Sequence, residues 1–310
     1  GIDERAQAYR ALGQAKFTGT PSVLICTSGT ALANYYPAII EAYKSRTPLI
    51  ILSADRPPEL VIGDANQTIN QTNIYQNFVS EFIDLGTPTT ECSLSAVART
   101  VSSLCNNASD LQLPVHLNLP FRGPLCQQEQ LIDSNYFKSG LSLLEQKNSC
   151  TTYLPNQTII NSDQLIAISE KINSNPNGIL VIGELPNRLD KTNILNLIKK
   201  TNWNFFLDIT SSIKFEFNAS DGAIPTFDHP EIFDHFNNTS PDIILHIGGR
   251  VTSKYYYKLL EENPNIDLIH ITSDLRLKDP SFSVKTVINC DLDEFAKNIN
   301  LNNNFKTKNI

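Results

Sequence analysis

The sequence predicts an α/β protein built from two doubly wound, open parallel-sheet domains, and three observations carry that prediction. Short apolar runs without polar alternation, suited to strands buried on both faces, occur in both halves of the chain. Stretches with helical periodicity lie between them, so strand and helix alternate at the spacing of a parallel sheet. The chain has 310 residues, 41% of them hydrophobic and 18% charged, enough to bury two separate cores.

Taken in order, Glu4 to Lys16 reads as an Ala-rich helix whose small face lets a neighbour approach closely. Pro21 precedes the strand Ser22 to Thr27, a turn follows at Ser28-Gly29-Thr30, and Ala31 to Ser45 reads as a second helix. Pro48 to Ser53 is the next strand, Leu94 to Leu104 a helix, and Val115 to Leu119 a strand stopped by Pro120. Periodicity then fades, which sets a first domain at 1–125, a linker at 126–161 and a second domain at 162–310. In the second domain the strands are Gly178 to Gly183, Asn204 to Asp208, Ile243 to Ile247 and Leu268 to Ile271, with helices that include Ile194 to Lys200 and Lys254 to Glu262. The polar tail from Asn302 to Ile310 is expected to fray.

Composition narrows the function classes. A net charge of −7 without a Lys/Arg run disfavours nucleic acid and anionic membranes as partners. No apolar stretch approaches the roughly 20 residues of a membrane span, and no basic-then-apolar leader opens the chain, so a cytoplasmic location is expected. Cys26, Cys92, Cys105, Cys126, Cys150 and Cys290 are scattered, the pattern of reduced thiols, and the five histidines show no metal spacing, so zinc is not expected. Of the histidines, His246 and His270 read as strand residues with hydrogen-bond partners. Asn-x-Ser triplets at Asn107 and Asn218 are compositional in so Asn-rich a chain. The absence of any methionine makes a piece of a longer protein the expectation.

Three motifs carry chemistry. Asp3-Glu4-Arg5 places acids at the start of the first helix, where a carboxylate is an ordinary first-turn residue unless a ligand uses it. Thr27-Ser28-Gly29-Thr30 sits at the carboxyl end of a strand, the usual place for ligands in an α/β sheet, and offers hydroxyls, a glycine and free N–H groups. Asp55-Arg56-Pro57-Pro58-Glu59 follows the next strand, with Asn66-Gln67-Thr68-Ile69 close behind. Two prolines stiffen that loop and hold a guanidinium suited to forking onto a carboxylate. Arg56 either meets an anionic ligand or pairs with Asp55 or Glu59 as scaffolding.

In this order and spacing, with Gly13-Gln14-Ala15-Lys16, Asn34, Tyr35 and Pro37 between them, the motifs resemble the pyrimidine-binding domain of thiamine-diphosphate enzymes. They are most similar to the SEPHCHC synthases of menaquinone biosynthesis. The resemblance implies that 1–125 is part of a pyrimidine-binding domain and that 162–310 is the family's central domain. It implies that Glu4 is the catalytic carboxyl, hydrogen-bonding N1′ of the cofactor's pyrimidine so that the cofactor's own imino group can remove the C2 proton. Burial is expected to raise the pKa of Glu4 against the opposing pull of the helix start. Thr27, Ser28, Gly29 and Thr30 join Glu4 as cofactor-binding residues, and Arg56, Asn66 and Gln67 line the isochorismate side. In the second domain Gly248-Gly249-Arg250-Val251-Thr252-Ser253-Lys254 resembles a segment whose Lys faces substrate or a regulator, here Lys254.

The implied activity is decarboxylation of 2-oxoglutarate on thiamine diphosphate and addition of the resulting succinyl carbanion equivalent to isochorismate. Mg²⁺ or Mn²⁺ would be held in a further, diphosphate-binding domain. A homo-oligomer with its active site between subunits is implied, so the 310 residues alone are expected to be inactive. Departures are few. Asp64 stands where the family commonly has Gly, so Gly63 is expected to take over the turn, and Tyr255 replaces a second basic residue of some relatives. The family's Pro-Gly-Ser-Arg-Ser and Gly-Asp-Gly…Asn elements do not occur in the chain. The alternatives are another thiamine-diphosphate carboligase such as an acetolactate synthase, against which Ser28-Gly29-Thr30-Ala31 argues, and a non-catalytic nucleotide-binding α/β protein. Gly178 to Gly183 lacks the G-x-G-x-x-G pattern that would support the latter.

Overall fold

The computed structural model describes residues 1–123, 136, 138, 140, 142, 145, 151–201, 203–276 and 278–301. Most of the segment read as a linker lies outside the described residues, as do Cys126, Cys150 and the tail from Asn302. The chain divides into two compact units, Gly1–Pro155 and Asn156–Ile310.

In the first unit α1 (Glu4–Thr18), β1 (Ser22–Cys26), a 3-10 turn (Gly29–Tyr35), α2 (Tyr36–Lys44), β2 (Leu49–Asp55), α3 (Pro58–Ile62), β3 (Glu81–Asp84), α4 (Leu94–Leu111) and β4 (Val115–Pro120) follow in order. The sheet order is β1-β2-β4-β3 and every pair is parallel, with Leu24 opposite Ile51 and Ile51 opposite His116. Alternation along β2 divides the core. Leu49 and Ile51 pack against Ala8, Ala11, Ala15, Ala38 and Ile39 of α1 and α2, whereas Ile50 joins Leu104 and Ala108 of α4 with Val115 and Leu117. The predicted helix from Ala31 is in two parts. Pro37 has no N–H to give to Ala33, so the carbonyl of Ala33 takes the N–H of Tyr36 instead, and α-helix begins only there.

The second unit runs α5 (Ser162–Asn173), β5 (Gly178–Ile182), α6 (Thr192–Lys200), β6 (Asn204–Leu207), β7 (Ala223–Ile224), α7 (Pro230–Thr239), β8 (Ile243–Ile247), α8 (Lys254–Glu262), β9 (Asp267–Thr272), β10 (Val284–Asn289) and α9 (Leu292–Asn298). Its parallel sheet has the order β10-β9-β8-β5-β6-β7, so the order in which strands are added reverses between β5 and β8. Those two central strands are buried at every position, which is why their sequences are unbroken apolar runs apart from His246. One face packs Leu180, Ile182, Leu245 and Ile247 against α6 and α9, and the other packs Val181 and Ile244 against α7 and α8. Both units are thus doubly wound, with helices on both faces. Among the described residues, no helix is long and apolar enough to cross a membrane. Cys26, Cys92, Cys105 and Cys290 are free thiols.

Candidate functional site

The chemistry-bearing motifs of the first unit meet at the carboxyl ends of β1 and β2. β1 leads into the turn at Thr27, where Gly29 takes a φ of +85°, a conformation open to glycine at no steric cost. A side chain there would also press on Gln67, whose Cγ lies 3.0 Å from the position of a Cβ. The loop bearing Asn66 and Gln67 is folded onto this turn. Gln67 Nε2 donates to Thr27 Oγ1 (3.0 Å) and to the Ser28 carbonyl (3.1 Å), while Ser28 Oγ donates to the Gln67 carbonyl (3.2 Å). Ser28 and Gly29 are buried; Thr27, Thr30 and Asn66 are exposed.

Glu4 arrives from the other direction. Asp3 caps α1 by accepting from the N–H of Arg5, so Glu4 is the first helical residue. Ala8 and Ala15 are fully buried and let α1 lie close against β1 and the 3-10 turn. That proximity brings the half-buried Glu4 to Asn34, whose Nδ2 donates to Glu4 Oε2 at 3.3 Å. Burial raises the Cys26 thiol to about 11, with the charge of Glu4 adding to the effect. Tyr35 is likewise pushed up to about 12 by burial, helped by Cys26 and Glu4, and its hydroxyl donates to the Ile25 carbonyl. Both groups are therefore neutral near pH 7, and Glu4 is the side chain of this cluster that can share a proton.

Arg56 lies just past the end of β2, where strand order reverses between β2 and β4, the position at which open α/β sheets bind ligands. Its backbone N–H is held by Asp55 Oδ1 at 2.7 Å. The scaffolding alternative does not apply to its guanidinium. Glu59 pairs with Arg122, the second carboxylate oxygen of Asp55 accepts from Asn118 Nδ2 at 2.9 Å, and no carboxylate among the described residues holds the Arg56 side chain. Pro58 opens α3, and the chain then turns at Asp64, which itself takes a φ of +53°. Gly63, expected to take over that turn, has an ordinary φ of −77°. The left-handed residue is the one standing where the family commonly has glycine, and Asp is among the side chains that tolerate that conformation.

Lys254 belongs to the second unit. It is exposed at the first turn of α8, behind the cap Ser253, whose Oγ donates to Asp228 Oδ1 at 2.8 Å. As read from the sequence, His246 and His270 are buried strand residues with partners, their Nε2 atoms each 2.8 Å from the carbonyls of Gly249 and Gly248. Among the described residues, no group of three or more His, Cys, Asp or Glu is placed to hold a metal ion.

A buried polar network beneath the first unit's loops escaped the sequence reading. Gln71, Asn118, Ser53, Asp55 and His116 are each 9% exposed or less and are joined by hydrogen bonds. Its trace in the sequence is Val115-His116-Leu117-Asn118-Leu119, where two polar residues interrupt an apolar strand. Burial pushes His116 down to about 4, so the ring is neutral.

Residues 1–74 match the family described as thiamine pyrophosphate enzyme, N-terminal TPP binding domain. Curated relatives named 2-succinyl-5-enolpyruvyl-6-hydroxy-3-cyclohexene-1-carboxylate synthase include one from Syntrophus aciditrophicus, 36% identical over 98% of this chain and 52% of the relative. Another, from Bacillus pumilus, is 32% identical over 96% of this chain and 50% of the relative. The chain spans about half the length of the curated relatives it matches. Among solved structures, the thiamine diphosphate-dependent 4-hydroxybenzoylformate decarboxylase of Rhodococcus jostii RHA1 superposes with a TM-score of 0.66 at 15% identity, over 96% of this chain and 53% of that one, a likeness of fold. The cluster of Glu4 with the turn after β1, the two parallel-sheet units and these relatives agree: residues 1–74 match the thiamine-pyrophosphate-binding domain, and the chain is similar, over about half their length, to the 2-succinyl-5-enolpyruvyl-6-hydroxy-3-cyclohexene-1-carboxylate synthases.

Proposed function

We propose that the protein containing this chain decarboxylates 2-oxoglutarate and adds the resulting four-carbon unit to isochorismate, as the names of its relatives suggest. The observation that carries the reading is the Glu4 carboxylate at the carboxyl end of β1, held from one side by Asn34. Among the described residues that carboxylate accepts one hydrogen bond, and it is half exposed, so it keeps an oxygen available to share a proton with a ligand's ring nitrogen. The donor set fits the pyrimidine end of thiamine diphosphate. When bound, the cofactor supplies the electron sink for loss of carbon dioxide from a 2-oxo acid. Glu4 holds the proton shared with N1′, and Thr27, Ser28, Gly29 and Thr30 form the wall beside it.

Arg56 binds a carboxylate of isochorismate, with Asn66 and Gln67 on the same side; Lys254, in the second unit, is assigned by its motif to a substrate or a regulator. The uncommitted guanidinium at the end of β2 supports this assignment. Mg²⁺ or Mn²⁺ is assigned to residues other than those described, since these offer no cluster for it. The reading also includes a cytoplasmic homo-oligomer in which the site is shared between subunits, and an inactive 310-residue chain. Replacing Glu4→Gln in the full-length enzyme is expected to lower turnover roughly 100-fold or more with the circular-dichroism spectrum unchanged. Wild-type turnover in that variant removes Glu4 from the mechanism. Release of carbon dioxide from 2-oxoglutarate by the 310-residue chain refutes the shared site.

A further inference from the structure

We infer that Gln71 is a positioning residue that keeps the cofactor turn and the substrate arginine in register, an inference resting on the function proposed above. Gln71 is 1% exposed, and its side-chain amide meets groups 17, 42 and 47 residues away. Its Oε1 accepts the backbone N–H of Gly29 at 2.9 Å. Its Nε2 donates to the carbonyl of Ala54 at 3.1 Å and to Asn118 Oδ1 at 2.8 Å. Asn118 in turn donates through Nδ2 to Asp55 Oδ2 (2.9 Å) and Asp84 Oδ2 (3.0 Å), and Asp55 Oδ1 accepts the N–H of Arg56. A continuous line of hydrogen bonds thus runs from the turn after β1 to the arginine after β2.

The orientation of each amide in this line is dictated by its neighbours. A backbone N–H can only donate, so the oxygen of Gln71 must face Gly29. The Ala54 carbonyl can only accept, so the nitrogen must face Ala54. The ionised carboxylates of Asp55 and Asp84 fix Asn118 in the same way. Both hydrogens of each amide are used, and reversing either amide sets donor against donor and acceptor against acceptor. Buried amides with both hydrogens engaged hold one geometry, and misplacement by an ångström at a reacting centre costs about 100-fold in rate.

The test uses the full-length enzyme. Gln71→Met fills nearly the same volume but makes none of the three hydrogen bonds. It is expected to raise both the thiamine diphosphate concentration giving half-maximal activity and the KM for isochorismate, each by roughly tenfold. Asp55→Asn keeps Gln71 and loosens only the Arg56 end, because its single carbonyl cannot serve Asn118 and Arg56 together. It is expected to raise the KM for isochorismate while the cofactor requirement stays put. A purely structural role for Gln71 lowers Tm and leaves both constants at wild-type values, and that result overturns the inference. Should Gln71→Met fail to fold, Asp55→Asn decides alone: an unchanged isochorismate KM overturns it. A wild-type enzyme without synthase activity sinks the functional reading instead, an outcome separate from either variant.

Discussion

Acid should destabilise the second unit through His246, in a pH window where its carboxylates are silent. The ring lies 3% exposed between β8 and α8, with Nε2 on the Gly249 carbonyl and Nδ1 at 3.1 Å from the Tyr256 hydroxyl. Because a carbonyl only accepts, Nε2 carries the hydrogen and Nδ1 accepts from Tyr256. A second proton on Nδ1 displaces that donor and puts a cation 4.7 Å, centre to centre, from the His270 ring. Burial first, then the neighbouring His270, pushes His246 down to about 3, and burial lowers His270 as well. The folded state therefore stays unprotonated while the unfolded chain, with an ordinary value of 6.5, takes up a proton as pH falls. Between pH 7 and pH 5 the unfolded state gains about 2 kcal/mol from this one imidazole. His270 acts in the same direction.

Asp208 and Asp274, whose folded values are depressed, behave oppositely: their stabilisation is complete above the ordinary carboxylate value and lost only below it. Nothing from them blurs the window above pH 5. Trp203 is the chain's single tryptophan, and it is buried in this unit with Nε1 on the Asn175 carbonyl, so its fluorescence reports this unfolding alone. Urea titrations followed by Trp203 are expected to show unfolding free energy falling by about 2 kcal/mol or more from pH 7 to pH 5. His246→Gln should return about 2 kcal/mol of that slope. A free energy flat across the window would mean that the ring is protonated, or solvent-exposed, in the folded protein.

Two further outcomes are expected. Asp64→Gly relieves a side chain held at a φ of +53° and should stabilise the first unit by about 0.5–1 kcal/mol; an unchanged or lower Tm contradicts the assignment of the turn to Asp64. Asp208 is fully buried and accepts four hydrogen bonds, from the N–H and Oγ1 of Thr210 and of Thr252. Burial alone would raise its pKa, and these bonds together hold it down. Asp208→Asn turns an amide hydrogen toward backbone donors and should cost about 3 kcal/mol in urea titrations at pH 7; a loss below about 1 kcal/mol contradicts the network.

The parts of the fold visible in the sequence are those set by local chemistry. The strand at Ile243–Ile247 and the helix at Lys254–Glu262 stand where the apolar run and the helical period place them. Edge strands were less visible. β10, Val284–Asn289, includes Lys285 and Thr286 and is half exposed along its length, and β3 has four residues, none of them buried. Neither looks like a buried parallel strand, because each is paired on one side only. At the site the same division holds. Glu4, Thr27–Thr30 and Arg56 could be singled out as candidates because they stand at strand ends and a helix start. Gln71 and Asn118 could not, because their partners lie 42 and 47 residues apart and a lone Gln in a loop has no period to betray it.

Both units are doubly wound, and they use the point where strand order reverses in opposite ways. In the second unit the loops after β5 and β8 close on each other by backbone alone: Gly183 donates to Ile247, Glu184 to Arg250, and Gly249 to Glu184. A Cβ on Gly183 would sit 2.2 Å from the Gly249 carbonyl, so glycine there serves close contact between loops. In the first unit β2 and β4 stay paired as far as Asp55 and Pro120, and side chains link their ends as well, with Asn118 of β4 reaching Asp55 of β2. Side-chain amides join the strand ends there, beside one backbone bond from the Phe121 N–H to the Asp55 carbonyl at 3.0 Å. Among the described residues no carboxylate holds the Arg56 guanidinium at this strand end, where strand order favours binding an anion. A sheet that spends side chains on its reversal point keeps a cationic site open. A sheet that zips the same point with glycine-rich backbone becomes a structural core, and the buried histidines stacked beneath that zipper make the core sensitive to acid.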